Sequence, residues 1–164
     1  MRTLIFLSLL AYATCSAALS GRVTRVADGD TLWVRLEPSE PRAGPGGRRP
    51  LKIRLQGIDA PERCQAWGAQ AKAALEGRVL QRKVQLKSSA TDDYHRSIAT
   101  LELDGEDIGA WMVGHGHAWS ARFHRSAGPY AAQERAARSA RRGLFADLGA
   151  VEPRLFRKAH GPCR

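Results

Sequence analysis

Between Gly21 and Leu103, apolar side chains recur at every second position: Leu32, Val34 and Leu36 alternate with Trp33, Arg35 and Glu37, and Leu51, Ile53 and Leu55 alternate with Lys52, Arg54 and Gln56. A period of two sends one face of an extended segment inward and the other to solvent. Val23 to Ala27, Val84 to Lys87 and Ile98 to Leu103 supply three more short runs, which predicts five strands. Asp28-Gly29-Asp30 separates the first two runs and reads as a hairpin turn in which glycine takes a positive φ at little steric cost.

Helical spacing appears at Trp67, Ala71, Ala74, Leu75 and Val79 within residues 66–80, then over Asp107 to Val113, then over the Ala-rich stretch Pro129 to Arg142, with Gly143 after its end. Arg135, Arg138, Arg141 and Arg142 give that third helix a basic, solvated surface. Short strands with intervening and trailing helices predict an α+β, mainly β fold: a five-stranded Greek-key barrel of the OB-fold type with about three helices. The segment from Pro38 to Pro50 holds too much proline and glycine for a strand or helix, and reads as a basic loop.

The chain has 164 residues, 43% of them hydrophobic, which fits one domain and excludes a disordered tail protein. Met1-Arg2-Thr3, the apolar run Leu4 to Ala13 and the small residues Ser16-Ala17-Ala18 have the order of a secretory signal peptide, so residues 1–18 are expected to be removed. The run is shorter than the roughly 18 residues that span a bilayer, so no stable membrane insertion is expected afterwards. The organisation expected is a signal over 1–18, a domain over 19–147 and a C-terminal tail over 148–164, in a secreted or periplasmic monomer.

Signal removal takes away one arginine and no acid, leaving an excess one below the whole chain's formal +10. A field of that sign favours polyanions, nucleic acid or an anionic membrane surface among them. Removal also leaves two of the three cysteines, Cys64 and Cys163. An even pair in an oxidising compartment predicts a disulfide that ties the tail to the body.

Three segments concentrate chemistry: Val26-Ala27-Asp28-Gly29-Asp30-Thr31, Arg54-Leu55-Gln56-Gly57-Ile58-Asp59-Ala60-Pro61-Glu62 and Asp92-Asp93-Tyr94-His95-Arg96. Asp30 and Asp59 are hard oxygen donors suited to a divalent cation such as calcium, and each also suits a turn. An ionised Glu62 accepts a proton from water, or favours a helix start through the dipole. Arg54 and Arg96 are planar forks that match phosphate, or that pair with Asp92 or Glu102.

With Gly116-His117-Ala118-Trp119, Tyr130-Ala131-Ala132-Gln133-Glu134 and Arg142-Gly143-Leu144-Phe145 following in order, the chain resembles the staphylococcal nuclease family over residues 21–147. The resemblance implies a calcium-dependent nuclease that hydrolyses DNA and RNA, cleaving the 5′-side P–O bond to leave 3′-phosphate ends. It implies that Asp30, Asp59 and the Ala60 carbonyl hold Ca2+, that Glu62 acts as general base, and that Arg54 and Arg96 clamp the phosphate. Asp92, Tyr94 and His95 fall near the substrate; Ala60 stands where the type enzyme has threonine, and His95 where it has glycine. The family's base-stacking tyrosine has no counterpart around Trp119 to His124, where Trp119, Arg122 and Phe123 are the substitutes available and Trp119 equally suits the core. His115 and His117 lack the partners of a zinc motif and read as loop residues. The rival function is a non-catalytic basic module that holds nucleic acid on the same barrel.

Overall fold

The chain runs β1 (Leu19–Val26), β2 (Thr31–Leu36), β3 (Leu51–Leu55), β4 (Ile58–Asp59), α1 (Gly68–Val79), β5 (Lys83–Thr91), β6 (Ser97–Leu103), β7 (Glu106–Asp107), α2 (Ile108–Gly114), β8 (Trp119–Ser120), α3 (Ala131–Ser139), a 3-10 turn (Gly143–Ala146) and α4 (Pro153–His160). This is a computed structural model, and it describes residues 18–39, 49–94, 96–123, 126–161 and 163. Most of the expected signal peptide, the middle of the basic loop and His95 therefore lie outside the described residues. Among the described residues no helix is long and apolar enough to cross a membrane.

Strands pair in the order β3-β2-β1-β5-β6, and β3 then pairs with β6 in parallel, so five strands close into a mixed barrel. The expected OB-type architecture is the one observed. Register carries the alternation into the core: Val23 faces Val34, Leu32 faces Ile53 and Leu86 faces Leu101, all buried. Each such side chain contributes roughly 1.5–3 kcal/mol by leaving water. Leu75 and Val79 of α1 and Ile108, Met112 and Val113 of α2 complete the same core.

Beside it sits a smaller cluster of Trp119, Ala137, Leu144 and Phe145. Buried Glu134 on α3 ties this region to β8, accepting from the Ser120 amide at 2.9 Å, Arg138 Nε at 2.9 Å and Arg122 Nη2 at 3.1 Å. A buried carboxylate needs such partners.

Four details correct the sequence reading. Gly29 does not take a positive φ; a Cβ there would lie 2.6 Å from the Ala60 Cβ and 2.9 Å from the Ala71 Cβ, so glycine is required for space. Helix α1 begins only at Gly68, after Trp67 in a left-handed conformation at φ 69°. Helix α3 ends at Ser139, and Gly143 opens the 3-10 turn that follows rather than closing the helix.

The fourth is a fourth helix. The eight residues of α4 span little more than two turns, too short to announce a helix by periodicity. Tertiary ties hold it instead. Gln65 Nε2 donates to the Val151 carbonyl at 2.6 Å, Arg122 Nη1 pairs with Glu152 at 2.8 Å, and Cys163 bonds to Cys64 with their Cα atoms 5.7 Å apart. The expected disulfide is present, and it anchors a docked helix.

Candidate active site

The β1–β2 turn delivers the first carboxylates. Asp28 Oδ1 accepts from the Asp30 amide at 3.1 Å, closing the turn on itself. Asp30 is buried: its Oδ1 accepts from the Thr31 hydroxyl at 3.0 Å and its Oδ2 from the Ala60 amide at 2.9 Å. That second bond joins the turn to the segment after β4, which is why Gly29 must let Ala60 come so close. Burial, and then the negative charge of Asp30, push the Asp28 carboxyl up to about 6.

Strand β3 turns Leu51, Ile53 and Leu55 toward the core side and Arg54 away from it. Thr31 is the cross-strand partner of Arg54, so the guanidinium lies over the Asp30 turn. Arg54 Nη1 forms an ion pair with Asp30 Oδ2, and Nη2 donates to Asp59 Oδ1 at 3.1 Å. Burial alone would lower the proton affinity of Arg54, but Asp30, Asp59 and Asp28 outweigh it and raise it, so Arg54 is a permanent cation.

Glu62 stands on the turn before α1. Its amide donates to Gln65 Oε1 at 3.1 Å, and its carbonyl accepts from the Gln65 amide at 2.9 Å. Gly68 meets that carbonyl so closely that no Cβ fits there. The side chain of Glu62 is consequently aimed from a fixed backbone, and its Oε1 accepts from Arg157 Nη1 at 2.8 Å. Arg157 also grips Asp59, Nη1 to Oδ1 and Nη2 to Oδ2, each at 3.1 Å. Burial opposes the charge on Arg157, while its hydrogen bonds to Asp59 and Glu62 more than offset this and raise its proton affinity.

Arg96 reaches the same cleft from the β5–β6 turn. Asp92 organises that turn, accepting the Tyr94 amide at 3.0 Å and the Arg96 amide at 2.9 Å through Oδ1 and Arg96 Nε at 2.7 Å through Oδ2. Desolvation works against the Asp92 charge, but the bonds from Arg96 prevail and hold its carboxyl below the usual range. The pairing of Arg96 with Asp92 leaves the rest of the guanidinium facing the cleft. Tyr94 is 78% exposed, and its ring lies 5.4 Å below the Arg96 guanidinium carbon.

An open cleft of about 510 Å³ joins these groups; Asp28, Asp30, Lys52, Arg54, Glu62 and Arg96 line it, with Ala60, Tyr94 and Arg157 among the rest. Asp59 lies behind the two arginines and lines the adjoining hollow. Asp92 lines neither; its contacts are those of a group that positions Arg96. Trp119 is 3% exposed and meets Phe145 edge-on at 5.7 Å, so it is core. Arg122 is committed to Glu134 and Glu152, and of the three substitutes only Phe123 offers an exposed ring. His117 accepts from Trp67 Nε1 at 3.3 Å, and burial, then His115, lower its proton affinity.

Among the described residues no three His, Cys, Asp or Glu side chains converge as a metal cluster. The donor set that suits a hard cation is instead two carboxylates, Asp30 and Asp59, with the main chain at Ala60. These residues fit a hard cation by donor type: Arg54 draws Asp30 and Asp59 to one point, and Asp28 adds a further carboxylate in the Asp30 turn. Asp28, Lys52 and Arg157 are the charged cleft residues to which sequence reasoning gave no role there. Asp28 had a signal, sitting two positions from Asp30 in the same turn; Arg157 had none local to it.

A family model described as staphylococcal nuclease homologue matches residues 52–147. The chain is 38% identical over 153 residues to "Protein ParB" of Escherichia coli, covering 87% of this chain and 81% of that one. It is 34% identical over 156 residues to "Micrococcal nuclease" of Shigella flexneri, covering 87% and 83%. An "Uncharacterized endonuclease" of Haemophilus influenzae is 32% identical over 162 residues, covering 96% and 86%.

Proposed function

This chain belongs to the staphylococcal nuclease family, and from that premise we propose that it is a calcium-dependent nuclease acting on phosphodiester bonds of DNA and RNA. One observation carries the reading: Arg54 pairs with both Asp30 and Asp59, and Arg157 bridges Asp59 to Glu62, beside a cleft that Arg96 also lines. A bound calcium would supply charge to the phosphate and orient water, held by Asp30, Asp59 and the Ala60 carbonyl.

The protein's own groups then divide the work. Arg54 on β3 and Arg96 on the β5–β6 turn are cations held in place by carboxylates, so they meet a phosphate without reorganising. As charge builds on the non-bridging oxygens, their N–H donors bind it more strongly than in the ground state, which lowers the barrier. Glu62 accepts the proton of the attacking water at its carboxylate, and the locked Gln65 turn sets the direction of that attack. Cleavage of the 5′-side P–O bond leaves 3′-phosphate ends. Export to a secreted or periplasmic location belongs to the same proposal, supported by the order of residues 1–18 and by the Cys64–Cys163 bond.

Calcium-titrated digestion of end-labelled single- and double-stranded substrates tests this. Cleavage that follows calcium, stops with chelator and leaves 3′-phosphates is expected. Nucleic-acid binding with no cleavage under any divalent cation would favour a non-catalytic basic module.

A further inference from the structure

Helix α4 lies beyond residue 147, where the family match ends, yet its Arg157 reaches the carboxylates of the cleft. Its placement is held from both ends. Before the helix, Gln65 bonds the Val151 carbonyl; after it, Cys163 is covalently bound to Cys64. Gln65 and Cys64 belong to the turn that carries Glu62, so the tether and the target of Arg157 are one structural unit. Arg122 adds a third tie through Glu152.

The contacts are specific. Arg157 forks onto both oxygens of Asp59 and also reaches Glu62, while Asp59 Oδ1 accepts from Arg54 as well. That oxygen thus already has two donors for its two lone pairs. A divalent cation sits roughly 2.3–2.6 Å from its ligand oxygens and needs lone pairs free. It would also stand beside a guanidinium of the same sign. Arg157 Nη2 takes up the other oxygen of Asp59 as well, so the cation and the present position of Arg157 compete for this carboxylate.

We propose that Arg157 is a tethered counter-ion that occupies the cation's place at Asp59 and caps Glu62, and that metal loading requires it to swing away. This rests on the reading of Asp59 as a cation ligand. Arg157 has a long flexible stem and is 39% exposed, so the movement needs no unfolding of α4. The disulfide keeps the guanidinium at high local concentration, so the competition is intramolecular.

Calorimetric titration of calcium alone into the purified, oxidised protein, without nucleic acid, tests the proposal. Arg157→Ala is expected to lower the calcium Kd about tenfold or more. Lys52→Met removes a cleft charge that makes no contact with Asp59, and is expected to change it by less than about threefold. Cys163→Ser, which frees the tether but keeps the guanidinium, is expected to fall between wild type and Arg157→Ala. Should Arg157→Ala fail to fold, Arg157→Gln carries the same prediction, since it keeps an amide donor and loses the charge. A Kd for the Arg157 variant within threefold of wild type, or no different from that of Lys52→Met, overturns the competition. Asp59→Asn separates the two claims: undiminished calcium binding there overturns the ligand reading itself, whatever Arg157 does.

Discussion

Arg54 Nη2 and Arg157 Nη1 donate to the same atom, Asp59 Oδ1, each at 3.1 Å. One carboxylate thus holds two like-charged groups that come from a barrel strand and from a helix about a hundred residues later. Replacing it with a neutral amide leaves two partly buried cations facing each other. Asp59→Asn is expected to destabilise the metal-free fold by about 2 kcal/mol or more. Urea unfolding checks this; a loss below about 0.5 kcal/mol would show that solvent screens the pair.

Glu62 is held by its backbone, and its side chain touches only Arg157 among the bonds described. Glu62→Gln should therefore keep the fold and lose the proton acceptor. Turnover at saturating calcium is expected to fall by roughly 10²–10⁴ with little change in melting temperature. Arg54→Ala should cost roughly 10²–10³ in turnover, and near-normal rates in either folded variant would remove these residues from the chemistry.

Gly29 separates Ala60 from Ala71 by the absence of a side chain. Gly29→Ala forces three methyl groups into that space and pushes Ala60 away from Asp30, whose carboxylate its amide now donates to. The expected loss is about 1–3 kcal/mol in a denaturant titration, with calcium affinity reduced alongside it. Stability equal to wild type would mean that the turn relaxes freely.

Asp92 carries the pH dependence of the Arg96 turn. Its folded carboxyl binds a proton less tightly than the unfolded one, whose ordinary value is 3.8. The resulting stabilisation is complete above the unfolded value and is lost as pH falls through the lower folded value. Melting curves of wild type and Asp92→Asn should differ at pH 6 and converge as pH drops below about 4. A gap that is constant across this range would rule out the carboxylate's charge as its source.

The barrel was legible because strand alternation is a local property: Leu32, Val34, Ile53 and Leu55 declare their buried face through spacing alone. The same holds for the order of Asp30, Arg54, Asp59, Glu62 and Arg96, a motif readable along the chain. The cysteine pair was legible by parity.

Tertiary structure decided the rest. Whether Gly29 serves a turn or a tight approach depends on Ala60 and Ala71, which no local pattern places beside it. Arg157 meets Asp59 and Glu62 across 98 and 95 residues, on a helix too short to be stable without its ties to Gln65, Arg122 and Cys64. Residue identity and spacing determined which charges this protein carries and which segments become the five barrel strands, though not the short strands β4, β7 and β8. The closed barrel and its covalent strap determined which of those charges face each other, because Coulomb attraction and hydrogen bonding depend on separation in space, and distance along the chain does not report it.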